Sequence, residues 1–376
     1  MQALRRLSQR FAPAISRDRR GCIGLEVAQS ALHFVQLVSR SDQSLQLHAR
    51  TSVPFKSAAL SEPDSHRLLR EAVRAAQRQT RLCGRRAVVA MPAGQFRTMP
   101  VNYRQKSGQS EAQTIAQLMD ERLDGPLSDY VIDYIPVRAS ARDAERLAIV
   151  AVSQRSDVMH LLSALHGAGL FVEALEIAPV ALRRLANTVN REHSDMTMIL
   201  NTGQTRSFLT LLSGRRLLLD QPIEIGELHL VDTLAKALDL SSAQARDLLR
   251  RTGLQPGAGQ LQPGHHEGET GMFNTLLEIL RPEFLKMVDQ TDKAFMYAAA
   301  QTRGGGDARI LFLGALARWP GCDQVLSAMT HLPVIKLPSA NSAFASPDEG
   351  VTADVNLRPE YAVASGLALR GLVDGQ

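Results

Sequence analysis

The residues best placed for chemistry lie in "CIGLEVAQSALHFVQL", Cys22 to Leu37. The stretch reads as a strand, a tight turn and a second strand, and such turns hold phosphate in many folds through their backbone N–H groups. Here the turn carries Glu26, Ala28 and Gln29 where a working phosphate turn calls for an acid of another reach and a glycine. A second stretch, "LNTGQTRSF", repeats the pattern with Gly203 in its turn. The pair reads either as a working nucleotide site or as the shell of one.

Other chemistry leaves weaker traces. His265, His266 and Glu267 stand together in a Gly- and Pro-rich segment without further ligands at metal spacing, so they read as a solvated loop and no metal site is expected. There is no G-x-S-x-G elbow, no H-E-x-x-H helix and no G-x-x-x-x-G-K-[ST] loop. Cys22, Cys83 and Cys322 are odd in number and far apart, which fits buried thiols in a reducing compartment better than a disulfide framework.

The chain that must position these residues has 376 residues, 44% of them hydrophobic, enough for two lobes with separate cores. No apolar run reaches the roughly 18 to 20 residues that span a bilayer. The expected location is the cytoplasm. The first twenty residues hold Arg5, Arg6, Arg10, Arg17, Arg19 and Arg20 against Asp18, a surplus equal to the whole chain's +5. The basic excess is therefore a tail, residues 1–20, and not the lining of a nucleic-acid groove. With aromatic residues at 5%, the stacking platforms of a single-strand binder are missing too. Leu4, Leu7 and Phe11 fall at helical spacing among the arginines, so the tail reads either as a contact for an anionic membrane surface or as a solubilising lead-in.

From Gly21 the elements alternate. Three short strands in a meander precede a helix from Asp64 whose arginines Arg67, Arg70, Arg74, Arg78 and Arg81 form one stripe. Strands "AVVAMP" and "FRTMPVNY", a helix over Glu111 to Arg122, strands "YVIDYIPV" and "RLAIVAVS", a helix over Ser156 to Ala168 and a strand "LFVEALEIA" follow. A second meander begins at Met196, and helices follow, one of them capped by Ser241 or Ser242. A long helix then ends near Gly304, Gly305 and Gly306. Strand, turn and helix in "RILFLGALARWPGCDQVLSAM", a short strand "PVIKL" and a last helix "YAVASGLALRGL" close the chain. Two copies of one meander, each followed by helices, predict an internally duplicated α/β protein of two lobes.

This order, with the strand-turn "IGLEVAQSALHFVQL" and the closing "YAVASGLALRGL", resembles the PilM family of type IV pilus assembly proteins, actin-like relatives of FtsA. The resemblance runs from about Gly21 to the C-terminus, and an MshI-type relative is the second choice. It implies an α/β, duplicated actin-like (ribonuclease H-like) fold of two lobes with a small α+β domain inserted in the first. The implied boundaries are 21–190 for the first lobe, about 85–152 for the insertion, 191–376 for the second lobe and about 228–302 for its helical subdomain.

The family's ligand would be ATP or ADP with Mg. The positions that match its site are Glu26, Ala28, Gln29, Ser30 and His33 in the first turn, Asn201, Gly203, Gln204 and Thr205 in the second, and Gly314 with Ala315 beside the adenine. Several differ from the family pattern. Glu26 replaces an aspartate, Ala28 a glycine, His33 a lysine, Asn201 an aspartate and Ala315 a glycine, and each exchange weakens a phosphate and metal cradle. In the segment between the lobes, Ala178 replaces a glutamate and Glu176 an aspartate. The expectation is a scaffold and no enzyme. Its implied partner is the cytoplasmic N-terminal peptide of a PilN-like membrane protein, held in a groove near Arg97, Met99, Val101, Tyr103, Ile115 and Met119. An active ATPase is the alternative, and a homo-oligomer stays open.

Overall fold

The computed structural model describes residues 18–42, 44–56, 60, 64–104, 108–137, 146–189, 196–254, 267–301, 307–337 and 359–372. Most of the tail, the His265–His266 pair and the three glycines from Gly304 lie outside the described residues. Two five-stranded sheets repeat one plan. The first is built from β1 (Arg19–Val27), β2 (Ala31–Ser39), β3 (Leu45–Pro54), β4 (Arg86–Ala90) and β8 (Phe171–Glu176), in the order β3-β2-β1-β4-β8. The second is built from β9 (Met196–Thr202), β10 (Ser207–Ser213), β11 (Arg216–Ile223), β12 (Ala308–Gly314) and β13 (Val334–Lys336), in the order β11-β10-β9-β12-β13. In both, an antiparallel meander is extended by two parallel strands. This is the duplicated two-lobed fold that the paired meanders predict.

Alternation along the strands assigns each sheet face to a layer. Ile23, Leu25, Leu32 and Phe34 turn to one side and pack with Leu69 and Val73 of α1 (Ser65–Gln79) and with Leu161 and Leu165 of α3 (Arg155–Gly167). Val35, Leu37, Val88 and Ala90 turn to the other side, into a core shared with α4 (Ala178–Val189) and α9 (Ala362–Ala368). Helix α9 follows the second lobe in sequence yet lies on the first sheet. Two glycines make that approach possible: a Cβ on Gly24 would stand 2.0 Å from Ala364 O, and one on Gly366 would stand 2.0 Å from Ala181 O. The buried Arg184 guanidinium fixes the same joint, donating to both carboxylate oxygens of Glu176 at 2.9 and 3.0 Å and to Gly366 O at 2.8 Å. Glu176, matched above to a family aspartate, thus serves as the anchor of this clamp, and Arg370 also donates to it.

The separate three-stranded sheet has the order β5-β7-β6, with β5 (Arg97–Tyr103), β6 (Tyr130–Val137) and β7 (Arg146–Gln154). The range expected for the insertion, about 85–152, also takes in Arg86–Ala90, which is β4 of the first sheet. Helix α2 (Glu111–Asp120) covers one face of the small sheet, and Ser110 and Gln113 close a capping box at its start. The other face turns Leu147 and Ile149 into the core shared with the second lobe. Thr98 Oγ1 donates to the Asp220 carbonyl at 3.0 Å and to its carboxylate at 3.2 Å, tying β5 to β11.

In the second lobe follow α5 (Glu227–Ala237), α6 (Ser242–Thr252), α7 (Glu267–Gln301) and α8 (Cys322–Thr330). Ser241 is the cap of α6, with Gln244 as its reciprocal partner. Of the three cysteines read as buried, only Cys322 is; Cys22 and Cys83 are half-buried near sheet ends, beside Glu173 and His48 respectively. The first strand begins at Arg19, so Arg19 and Arg20 belong to the sheet and not to the tail.

Candidate functional site

A cavity of about 700 Å³ lies between the lobes, and all eleven residues singled out in the turns and beside Gly314 line it. Symmetry of construction explains the convergence. The β1–β2 turn and the β9–β10 turn occupy equivalent ends of equivalent sheets, so facing lobes bring them tip to tip.

The first turn closes through Ala28 N to Ala31 O at 3.0 Å, and Ser30 O accepts from Phe55 N at 3.1 Å. Ala28 keeps a negative φ, so the exchange from glycine leaves no backbone strain. The second turn closes through Gly203 N to Arg206 O at 3.1 Å, and a Cβ on Gly203 would stand 2.4 Å from that same oxygen. The carbonyls of Gly203 and Gln204 accept from Glu227 N at 3.0 Å and Leu228 N at 2.9 Å, which satisfies N–H groups at the start of α5. Gly314, with φ +95°, would place a Cβ 2.1 Å from Thr202 O. The two kept glycines are thus demanded by the protein's own backbone, whatever the cavity holds.

Electrostatics set the cavity apart from a metal–phosphate cradle. Glu26 and His33 are cross-strand partners on β1 and β2. Burial alone pushes the Glu26 carboxyl up to about 8, so it is mostly neutral at pH 7. His33 is pulled down to about 4, by burial first and by the nearby Arg318 second, and its buried Nδ1 has no hydrogen-bond partner among the described residues. Asp220, also at the cavity wall, is raised to about 6 by burial, against the hydrogen bonds it accepts from Thr210 and Thr98. Arg206 and Arg250 line the cavity paired with Glu224 and Glu227. Sequence reasoning missed Asp220 and Arg318. A lone acid inside the apolar run "LLLDQPI" was the available signal for the first.

Across the cavity mouth the two turns touch. Gln204 Nε2 donates to Ser30 Oγ at 3.1 Å, and Thr205 Oγ1 donates to Gln29 Oε1 at 3.2 Å. Among the described residues no group of three or more His, Cys, Asp or Glu side chains gathers to hold a metal ion. With an amide at Asn201, no third metal-binding side chain gathered among the described residues and side chains bridging the turn tips, the residues present do not fit a magnesium nucleotide.

The six residues expected to bind a peptide are not brought together on a surface. Val101, Tyr103, Ile115 and Met119 form the insertion's own core, with Met99 packed against it. Strand periodicity turns Val101 and Tyr103 toward α2, and only Arg97 is exposed. The junction of insertion and first lobe offers other residues. A smaller cavity of about 240 Å³ is lined there by Leu60, Gln95, Ser156, Asp157, His160 and Leu161. The buried Gln95 Oε1 has no hydrogen-bond partner among the described residues. Nearby, Arg155 at the start of α3 donates to Ser128 O at 2.6 Å and Tyr130 O at 3.2 Å, which places Met159 and Val131, 57% and 37% exposed, on the same junction.

Fold and paired turns together define an actin-like protein. Residues 24–263 match the family described as type IV pilus assembly protein PilM, and the chain belongs to that family. Among solved structures it resembles a PilM–PilN type IV pilus biogenesis complex at 20% identity, covering 94% of this chain and 99% of that one with a TM-score of 0.72. The ethanolamine utilization protein EutJ from Carboxydothermus hydrogenoformans follows at 12% identity, 94% and 90% coverage and a TM-score of 0.52. MreB 5 of Spiroplasma citri bound to AMPPNP, 12% identical over 94% and 96%, has a TM-score of 0.49. Among curated proteins no match is found.

Proposed function

We propose that the chain is a cytoplasmic, non-hydrolysing scaffold of type IV pilus assembly that captures the N-terminal cytoplasmic peptide of a PilN-like inner-membrane protein. The solved complex it resembles pairs PilM with PilN, which supports the choice of partner. The observation that carries the site is the unpartnered, buried Gln95 Oε1 at the junction cavity. A buried acceptor left unpaired is costly, and a peptide N–H is the donor it lacks. Exposed Met159 on α3 and Val131 on β6 supply apolar surface where those two elements meet, and β6 is an edge strand of its sheet, a position that an extended chain can join. Among the described residues no helix is long and apolar enough to cross a membrane, so attachment to the inner membrane falls to the partner, with the arginine tail as a second contact.

The test is calorimetric titration of the partner's N-terminal peptide. Met159→Asp and Val131→Asp should each weaken binding at least tenfold while circular dichroism stays unchanged. Affinity unaltered in both would overturn the site. The second reading, a nucleotide-gated ATPase, is favoured by one observation, the 700 Å³ cavity bounded by both turns. Magnesium-dependent ATP turnover by the purified chain would establish it.

A further inference from the structure

The turn tips carry four polar side chains, Gln29 and Ser30 on one lobe and Gln204 and Thr205 on the other, and each pair finds its partner across the cleft. Where a nucleotide bridges two such turns, its phosphates accept from both tips and a metal joins them through oxygen. Here the donor and acceptor roles are filled by protein. Gln204 donates and Ser30 accepts; Thr205 donates and Gln29 accepts. The Gln204 bond lies at the long end of the N–H···O range and the Thr205 bond just beyond the usual O–H···O range, so these are weak neutral hydrogen bonds.

The backbone behind the tips is spent as well. Ala28 N and Gly203 N close their own turns, and the carbonyls of Gly203 and Gln204 are taken by α5. Behind them, Asn201 brings no charge, and the two acids at the cavity, Glu26 on β1 and Asp220 on β11, gather no third metal-binding side chain among the described residues. Closure of the lobes already has a basis elsewhere. One continuous apolar core joins Val35, Val88 and Leu182 of the first lobe to Leu200 and Leu209 of the second. The polar bridge has only to hold the mouth.

We infer that the Gln29–Thr205 and Ser30–Gln204 bridge is a latch standing in place of nucleotide and metal, so that the two turns stay together without either. The inference goes beyond the scaffold reading and does not depend on the partner peptide.

Hydrogen exchange on the full chain tests it at the amides of Ala28 and Gly203. In the wild type, neither 1 mM Mg·ATP nor 1 mM EDTA, each about a thousandfold over a micromolar protein, should change exchange at these amides by more than twofold. The double variant Gln29→Ala, Gln204→Ala should exchange at least fivefold faster at both, with the cores of β1 and β9 unaltered. Gln29 is exposed and Gln204 half-buried, and neither belongs to an apolar core, so the variant keeps its fold, as circular dichroism checks. Protection of the wild-type turns by Mg·ATP, or an unchanged rate in the double variant, would overturn the latch. Titrating the same variant with the PilN-like peptide separates the two readings: fast exchange with lost peptide affinity counts against the separate scaffold site alone, and slow exchange with intact affinity counts against the latch alone.

Discussion

The two turns that face each other across the cleft started from one plan and have diverged in opposite ways. The first has alanine at the position of close approach, and nothing in its backbone objects, because Ala28 lies at negative φ with its N–H turned to Ala31 O. The second keeps Gly203, because a side chain there would run into Arg206 O. Both glycine positions would look alike as ligand-binding signatures. Only one is required by packing, and that one survives. A kept glycine in this protein therefore reports on its own chain before it reports on a ligand.

That contrast can be broken most directly by reversing it. Gly203→Ala puts a Cβ 2.4 Å from a backbone carbonyl that also closes the turn, so the backbone must shift. The expected cost is about 1–3 kcal/mol, the usual range for overpacking. Ala28→Gly should cost about 0.5–1 kcal/mol, the entropy of the added freedom alone. Urea unfolding of the two variants beside the wild type measures both. Equal losses would show that the turns are equivalent after all.

A smaller effect sharpens the electrostatic side of the comparison. The first turn keeps a carboxyl at Glu26 and the second has the neutral Asn201. Because burial raises the folded Glu26 to about 8 while the unfolded group titrates near 4.5, the folded state binds more protons across that window. Stability therefore falls as pH rises from about 4.5 to 8. Water in the open cleft screens the effect, which leaves a change on the order of 1–2 kcal/mol. Glu26→Gln should flatten that slope and make the protein more stable than wild type at pH 8, as read by urea midpoints at pH 6 and pH 8. A slope that persists in the variant would assign it to another group.

Much of this was legible in the sequence because it is local. Alternation of apolar residues gave the strands their faces, the two meanders gave the duplication, and Gly203 and Gly314 marked turns that proved tight. The eleven turn residues meet because equivalent loops of equivalent sheets must. What was not legible depends on contacts far apart in the chain. Ser30 and Gln204 are separated by 174 positions, and neither type predicts the other. Helix α9 lies on the first sheet because Gly24 and Gly366 let backbones approach, and a glycine in a strand or helix does not say which partner it admits. Four of the residues read as a peptide groove lie in a core for a related reason. Val101, Tyr103, Ile115 and Met119 are apolar and amphipathically spaced, which reads the same for an exposed groove as for the core of a small domain.

The smallest expected effect comes from restoring the family's site residues. Glu26→Asp, Ala28→Gly and Asn201→Asp together return the shorter acid, the glycine and the second carboxylate. If those exchanges alone had closed the site, Mg·ATP affinity should rise steeply, because metal and phosphate contacts act as a unit. The structure sets a further obstacle, since the turn tips remain bridged by Gln29, Ser30, Gln204 and Thr205. A ligand would have to displace two hydrogen bonds, each contributing about 0.5–1.5 kcal/mol, before making its own. The triple variant alone should therefore change Mg·ATP affinity less than threefold in a calorimetric titration. Adding Gln29→Ser and Gln204→Gly, which shortens both tips, should then yield a gain of tenfold or more over the triple variant. A large gain from the triple variant by itself would place the block in the turn chemistry and make the bridge incidental; no gain from the fivefold variant would place it in the packing of the lobes.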